Sequence, residues 1–196
     1  FLFLGMVQVQ QNNASEARKS FEKVLELVPN NPLAVDQLVD LDLKARDFAP
    51  ASQRAEKQIE KQPKVASSYL MKARVQMAQG QWKETEATLK KAIELDPNSG
   101  PAYEMLVRNY LATDRVPEAA HEIEVVLSKA PQNQSALMTL ATIRAQQEDY
   151  SKARDCYDKL LSRNPTFIPA LNNPPLINPE PPNHPNQAYD LTAQAH

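Results

Sequence analysis

The chain has 196 residues, 42% of them hydrophobic, and Lys+Arg 22 against Asp+Glu 24 leave a formal net charge of -2. Because the two signs nearly cancel and are interspersed, the basic face that counterion-release binding of nucleic acid needs is missing from the composition. The three glycines, Gly5, Gly80 and Gly100, are isolated, which excludes the clustered-glycine loops that cradle phosphates.

The longest apolar run, FLFLGMV at the start, falls well short of the roughly 20 residues that span a bilayer, and no basic residue precedes it. A soluble protein of the cytoplasm or the bacterial periplasm is expected. The single cysteine, Cys156, has no intrachain partner, so packing alone must hold the fold.

Pro29, Pro63, Pro97, Pro131 and Pro165 recur every 34 residues, each after a helical pattern that a proline would end. Aligning on them gives a first unit that lacks its opening residues and ends at Asn31, then units at 32–65, 66–99, 100–133 and 134–167. In unit 100–133, Tyr103, Leu106, Val107, Tyr110 and Leu111 fall on one helical face, and Ala119, Ile123, Val126, Leu127 and Ala130 make a second stripe behind Pro117, a helix-start proline. Each unit therefore predicts a helical hairpin. A small residue recurs in the second helices at Ala17, Ala51, Ala119 and Ala153, with Thr85 as the exception, and lets paired helices approach closely. Four residues on stand Phe21, Ala55, Leu89, Ile123 and Tyr157, placed to fill the space between units.

Leu4-Gly5, Ala17, Phe21 and Pro29 in the first unit, with Gly80, Trp82, Ala92 and the LDPN string ending at Asn98 in the third, carry a resemblance to the tetratricopeptide repeat family over about residues 1–170. The second unit departs from the pattern at Asp42, where an aromatic is usual, and at Gln58, where alanine is usual, so looser or locally altered packing is expected there. The resemblance implies an all-α, right-handed superhelical solenoid of antiparallel hairpins. Its first helices would line a concave groove that holds a peptide or protein segment.

Carried over residue by residue, the implied ligand groove comprises Asp36, Gln37 and Asp40; Leu70, Met71, Arg74 and Met77; Glu104, Met105, Arg108 and Leu111; and Met138, Thr139 and Thr142. All five methionines, Met6 included, fall at such positions, either as a polarizable binding surface or as fillers between neighbouring helices. Arg74 and Arg108 are repeat-equivalent and would lie side by side, ready for a carboxylate or else solvated near Glu104. Asp36 and Asp40, four apart, read as an acidic patch more than as a metal site. A carboxylate clamp of the kind some family members use is not supported, because its positions carry Leu2, Met6, Gln37, Ser67 and Met71.

His121, His184 and His196 are scattered, and Cys156 between Asp155 and Tyr157 has no nearby cation to activate it, so no catalytic set, metal or cofactor is expected. The chain opens inside a first helix with Phe1, Leu2, Phe3 and Leu4; an uncapped face of that kind predicts further repeats upstream or self-association. Beyond the array, residues 171–185 hold six prolines and predict an extended segment, docked in a groove or solvated, and 186–196 a short terminal helix left from a sixth repeat.

The function expected is a noncatalytic scaffold that binds a protein or peptide segment, without nucleic acid or membrane insertion. The alternative is the repeat region of a larger bacterial envelope, pilus or exopolysaccharide-export assembly factor, or a substrate-presenting accessory domain of an enzyme.

Overall fold

In the computed structural model, which describes residues 1–163 and 165–166, ten helices and no strands are found among the described residues. The proline-rich segment 171–185, the terminal helix 186–196, His184 and His196 lie outside them. The helices are α1 (Leu2–Gln10), α2 (Ala14–Leu27), α3 (Pro32–Lys44), α4 (Phe48–Lys61), α5 (Ala66–Ala78), α6 (Trp82–Leu95), α7 (Gly100–Ala112), α8 (Val116–Lys129), α9 (Gln134–Gln146) and α10 (Tyr150–Arg163). Pro29, Pro63, Pro97 and Pro131 each stand two residues past a second helix, as the repeat predicts. Pro117 falls in the first turn of α8.

The chain forms two compact units, Phe1–Asp96 and Pro97–His196. The first stacks three hairpins (α1/α2, α3/α4, α5/α6), and the second stacks two (α7/α8, α9/α10). Both are all-α.

Each first helix ends in the same device. Asn12, Arg46, Gly80, Asp114 and Glu148, spaced by the repeat, all have left-handed backbones, with φ from 55 to 71. The amide of the following residue reaches back to the carbonyl five positions earlier: Asp47 N donates to Asp42 O at 2.9 Å, and Asp149 N to Arg144 O at 2.9 Å. The amide of the left-handed residue itself closes on the carbonyl three back, as Arg46 N does on Leu43 O at 3.1 Å. This double closure satisfies carbonyls that a helix end would leave orphaned, and it reverses the chain into the second helix. Only Gly80 adopts that backbone at no steric cost.

The paired helices touch where side chains are small. Ala17, Ala51, Ala119 and Ala153 are buried, and Thr85, also fully buried, satisfies its hydroxyl by donating to Gln81 O at 2.7 Å. The residues four further on, Phe21, Ala55, Leu89, Ile123 and Tyr157, are all buried as well. Gly5 has the tightest constraint, because a Cβ there would lie 2.5 Å from the Phe21 ring, which has no room to move.

Polar groups lock the turns between units. Tyr69 and Tyr103, one repeat apart, donate their hydroxyls to Pro63 O and Pro97 O, each at 2.9 Å. Asn133 caps α9 by accepting from Ala136 N at 2.9 Å, while its amide donates to Pro97 O.

The left-handed turns generate a stability prediction. Arg46→Gly and Glu148→Gly should each raise the melting temperature, with a gain of up to about 1 kcal/mol, because relief of Cβ strain outweighs the added freedom of the unfolded chain. Thermal denaturation followed by circular dichroism checks this. A lower melting temperature for both would show that the turns carry no such strain.

Candidate functional site

The residues implied as groove-lining stand on the first helices α3, α5, α7 and α9, but the structure sorts them into different environments. In the first unit, Asp36 and Asp40 of α3 converge on Arg74 of α5. Arg74 Nη1 donates to Asp40 Oδ1 at 2.8 Å, and Nη2 to Asp36 Oδ1. The helical spacing puts the two carboxylates on one face, and the stacking of α3 on α5 brings the guanidinium between them. The two sequence expectations, an acidic patch and a carboxylate-receiving arginine, thus satisfy each other within the chain. Arg74 pairs with Asp36 and Asp40 of its own compact unit.

All three side chains are about one-third exposed, so water screens the pairing. Burial raises the pKa of Asp40 above the ordinary carboxylate value, against the pull of Arg74. A raised folded-state pKa means that Asp40 contributes stability below its unfolded pKa, which is lost as pH rises through the folded one.

Met71 faces the core. It is 5% exposed and packs in one apolar cluster with Val35, Val39, Ala51, Ala55 and Val75. The reason is volume: in the other units the position of Ala55 carries a large side chain, and here the flexible thioether from α5 helps fill the space left by alanine. Met6 also leans on the core, against the cluster of Phe21, Leu38 and Leu41. Gln37, Leu70 and Met77 are half-buried.

In the second unit the corresponding faces are more open. Glu104, Arg108 and Leu111 of α7 and Thr142 of α9 are exposed, and Met105, Met138 and Thr139 are half-buried. Arg108 makes no hydrogen bond or ion pair among the described residues. Leu111, read from the sequence as part of the apolar stripe and of the groove, is 40% exposed, whereas Tyr103, Leu106 and Tyr110 of that stripe are buried.

The expected alteration at Asp42 is a buried ionic centre. Asp42 is completely buried, with Arg54 Nε of α4 donating to its Oδ2 at 3.1 Å and Arg18 Nη1 of α2 lying 2.6 Å from its Oδ1 as an ion pair outside hydrogen-bond alignment. A buried carboxylate is tolerable only when cations and hydrogen bonds replace its water. Sequence reasoning missed the two arginines, although a signal was present. Ser20 donates to Gln8 at 2.7 Å across the first hairpin, and Asp42 and Arg54 repeat that twelve-residue spacing one unit later.

Cys156 is buried, and burial raises its pKa despite the opposing fields of Lys159 and Arg144. Two cations are therefore nearby, contrary to the sequence expectation, yet desolvation outweighs them and the thiol stays unactivated. His121 is exposed on α8. Among the described residues no group of three His, Cys, Asp or Glu side chains is placed to hold a metal ion, and no helix is long and apolar enough to cross a membrane.

Helical hairpins on a 34-residue period, each first helix closed by a repeated left-handed turn, define a helical-repeat protein. Tetratricopeptide repeat models match residues 1–31, 37–100, 76–130 and 104–166. The chain belongs to the tetratricopeptide repeat family, a class of protein-interaction scaffolds.

Among curated proteins it is similar to the human protein O-mannosyl-transferase TMTC3, with 26% identity over 175 residues, covering 87% of this chain and 19% of that protein. It thus spans about a fifth of that relative. Among solved structures it resembles a thermophilic TPR protein of Thermus thermophilus, with TM-score 0.56, 19% identity, 86% of this chain and 92% of that one. Pseudomonas aeruginosa PilF is similar at TM-score 0.58 and 19% identity, over 99% of this chain and 86% of that one. At these identities the likeness is one of fold.

Replacing Met71 by serine should lower folding stability by about 2–5 kcal/mol, since it empties a packed site and buries a hydroxyl. Asp42→Asn should cost on the order of 1–3 kcal/mol, because Arg18 and Arg54, themselves partly exposed to water, lose their countercharge at a buried position. Urea denaturation measures both, and a Met71→Ser variant as stable as the parent would return Met71 to the groove.

Proposed function

We propose that the chain is a noncatalytic scaffold that binds an extended protein or peptide segment along the first-helix faces, with the second unit supplying the principal contacts. The observation that carries this reading is Arg108, exposed and unpaired among the described residues on the helix that also presents exposed Leu111 and half-buried Met105. A free guanidinium beside adaptable apolar side chains suits a segment that mixes a carboxylate with apolar residues. Met138, Thr139 and Thr142 on α9 extend the face, and Glu104 on α7 adds selectivity against acidic residues at its own position. In the first unit Gln37, Leu70 and Met77 remain candidates, while Asp36, Asp40 and Arg74 shape the face with their charges already paired.

A protein partner fits better than nucleic acid, given the balanced and interspersed charges. A second reading is that these repeats serve a larger protein, as an assembly region of an envelope, pilus or exopolysaccharide-export factor or as the substrate-presenting part of an enzyme; the larger-protein element is supported by the 19% of TMTC3 that the chain covers.

Capture of partners on the immobilised chain followed by mass spectrometry identifies the ligand, and Arg108→Glu should then weaken it by at least ~1 kcal/mol with the helical spectrum unchanged. Equal affinity for the variant would remove Arg108 from the interface. The exposed Phe1, Phe3 and Leu4 support a further contact, self-association through α1. Analytical ultracentrifugation should show a concentration-dependent dimer that Phe1→Ser/Phe3→Ser abolishes; a monomer throughout would end that idea.

A further inference from the structure

Away from the first-helix faces, the first unit carries a cleft of about 310 Å³ bounded by α2, α3, α4 and the turn after α2. Leu25, Val35, Pro29 and Pro50 supply its apolar surface. Arg54, Lys57 and Lys61 line it from α4, at three- and four-residue steps that set them on one side of that helix. Gln53, Gln58 and Asn30 are its other polar walls, and no carboxylate lines it.

The state of the three cations is informative. Arg54 is fixed through Nε on the buried Asp42, and its two terminal nitrogens have no partner among the described residues. Lys61 donates to Asn30 Oδ1, which tethers it across the mouth. Lys57 is exposed and unpaired among the described residues. An arginine anchored from behind loses little conformational entropy when its outer edge takes a carboxylate in the two-pronged manner that guanidinium geometry favours.

From these contacts we propose that the α2/α4 cleft is a second docking site, one that takes an acidic segment of a partner protein. A carboxylate sits on the outer edge of Arg54 with Lys57 and Lys61 beside it, and an adjacent apolar side chain lies against Leu25, Val35 and Pro50. Charge complementarity selects the occupant: positive walls without a lining carboxylate, around an apolar floor, match alternating acidic and apolar residues. A long polyanion fits less well, because α4 also carries Glu56 and Glu60 outside the cleft, where they repel a chain that runs past it. The site shares no residue with the face proposed around Arg108.

The test uses the whole chain and a short fluorescent peptide of Ser-Glu-Leu-Glu repeats, its Ser-Gln-Leu-Gln counterpart and a single-stranded oligonucleotide of matched length, read by anisotropy. The acidic peptide should bind, weaken with added salt, and lose about tenfold or more in affinity both when glutamine replaces glutamate and in Lys57→Glu/Lys61→Glu. Those lysines are exposed, so the double variant should keep its melting temperature. Arg54→Lys retains a cation for Asp42 but not the fork, and should weaken the peptide as well. Arg108→Glu should bind it unchanged, which separates this site from the first-helix face. No binding of the acidic peptide, equal binding of its glutamine counterpart, undiminished affinity in the double variant, or an oligonucleotide that binds more tightly than the peptide would each overturn the proposal.

Discussion

How closely the two helices of a hairpin can approach sets everything else in this molecule. At Ala17, Ala51, Thr85, Ala119 and Ala153 the contact is made by side chains that barely protrude, so the larger residues one turn later in four of the five hairpins, Phe21, Leu89, Ile123 and Tyr157, are buried in the core. A larger side chain at the close-approach position would push the hairpin open and strand those residues. Gly5 states the same constraint from the first-helix side, where even a methyl group would collide with Phe21. Because each hairpin buries its apolar surface only against its neighbours, stability is local and additive along the chain. Surface positions are then free to vary.

The second hairpin is where the pattern bends. Ala55 stands where a large residue is usual, and Asp42 where an aromatic is usual, as Tyr110 is in its own unit. Volume is restored by Met71 from the next hairpin, and charge by Arg18 from the preceding one and Arg54 from its own. Three hairpins are thereby tied through one irregular repeat. An ion centre of this kind adds little net stability over an apolar replacement, but it is unforgiving of misregister, because a shift by one residue would bury an unpaired carboxylate.

The same arrangement divides the polar surface. In the first unit the arginine of the first-helix face is consumed by Asp36 and Asp40, whereas in the second unit its repeat-equivalent stands open. On the second-helix side the relation reverses: Arg54 is rooted on Asp42 yet keeps its outer edge free at a cleft. One residue type is thus held at both prongs, at one or at none according to how many carboxylates its neighbours bring.

The sequence by itself determined the period, the hairpins, the small residues at the helix contacts and the family, because each depends on residue type at a fixed spacing and a repeat states that dependence several times over. The left-handed turn was not read from the sequence: Gly80 is the one glycine among its positions, and nothing local marks Arg46 or Glu148 as its equivalents. The fate of the first-helix side chains was settled only in three dimensions. Spacing tells which face of a helix a residue occupies; it does not tell whether the next helix brings a void, a countercharge or solvent to that face. Arg74 went to the carboxylates of α3 and Arg108 to solvent, from positions that the repeat alone makes equivalent, and Met71 went to a void left by Ala55 while its equivalent Met105 stays half-buried. What decided among them was the volume and charge of residues from neighbouring helices, and those meet only when the hairpins stack.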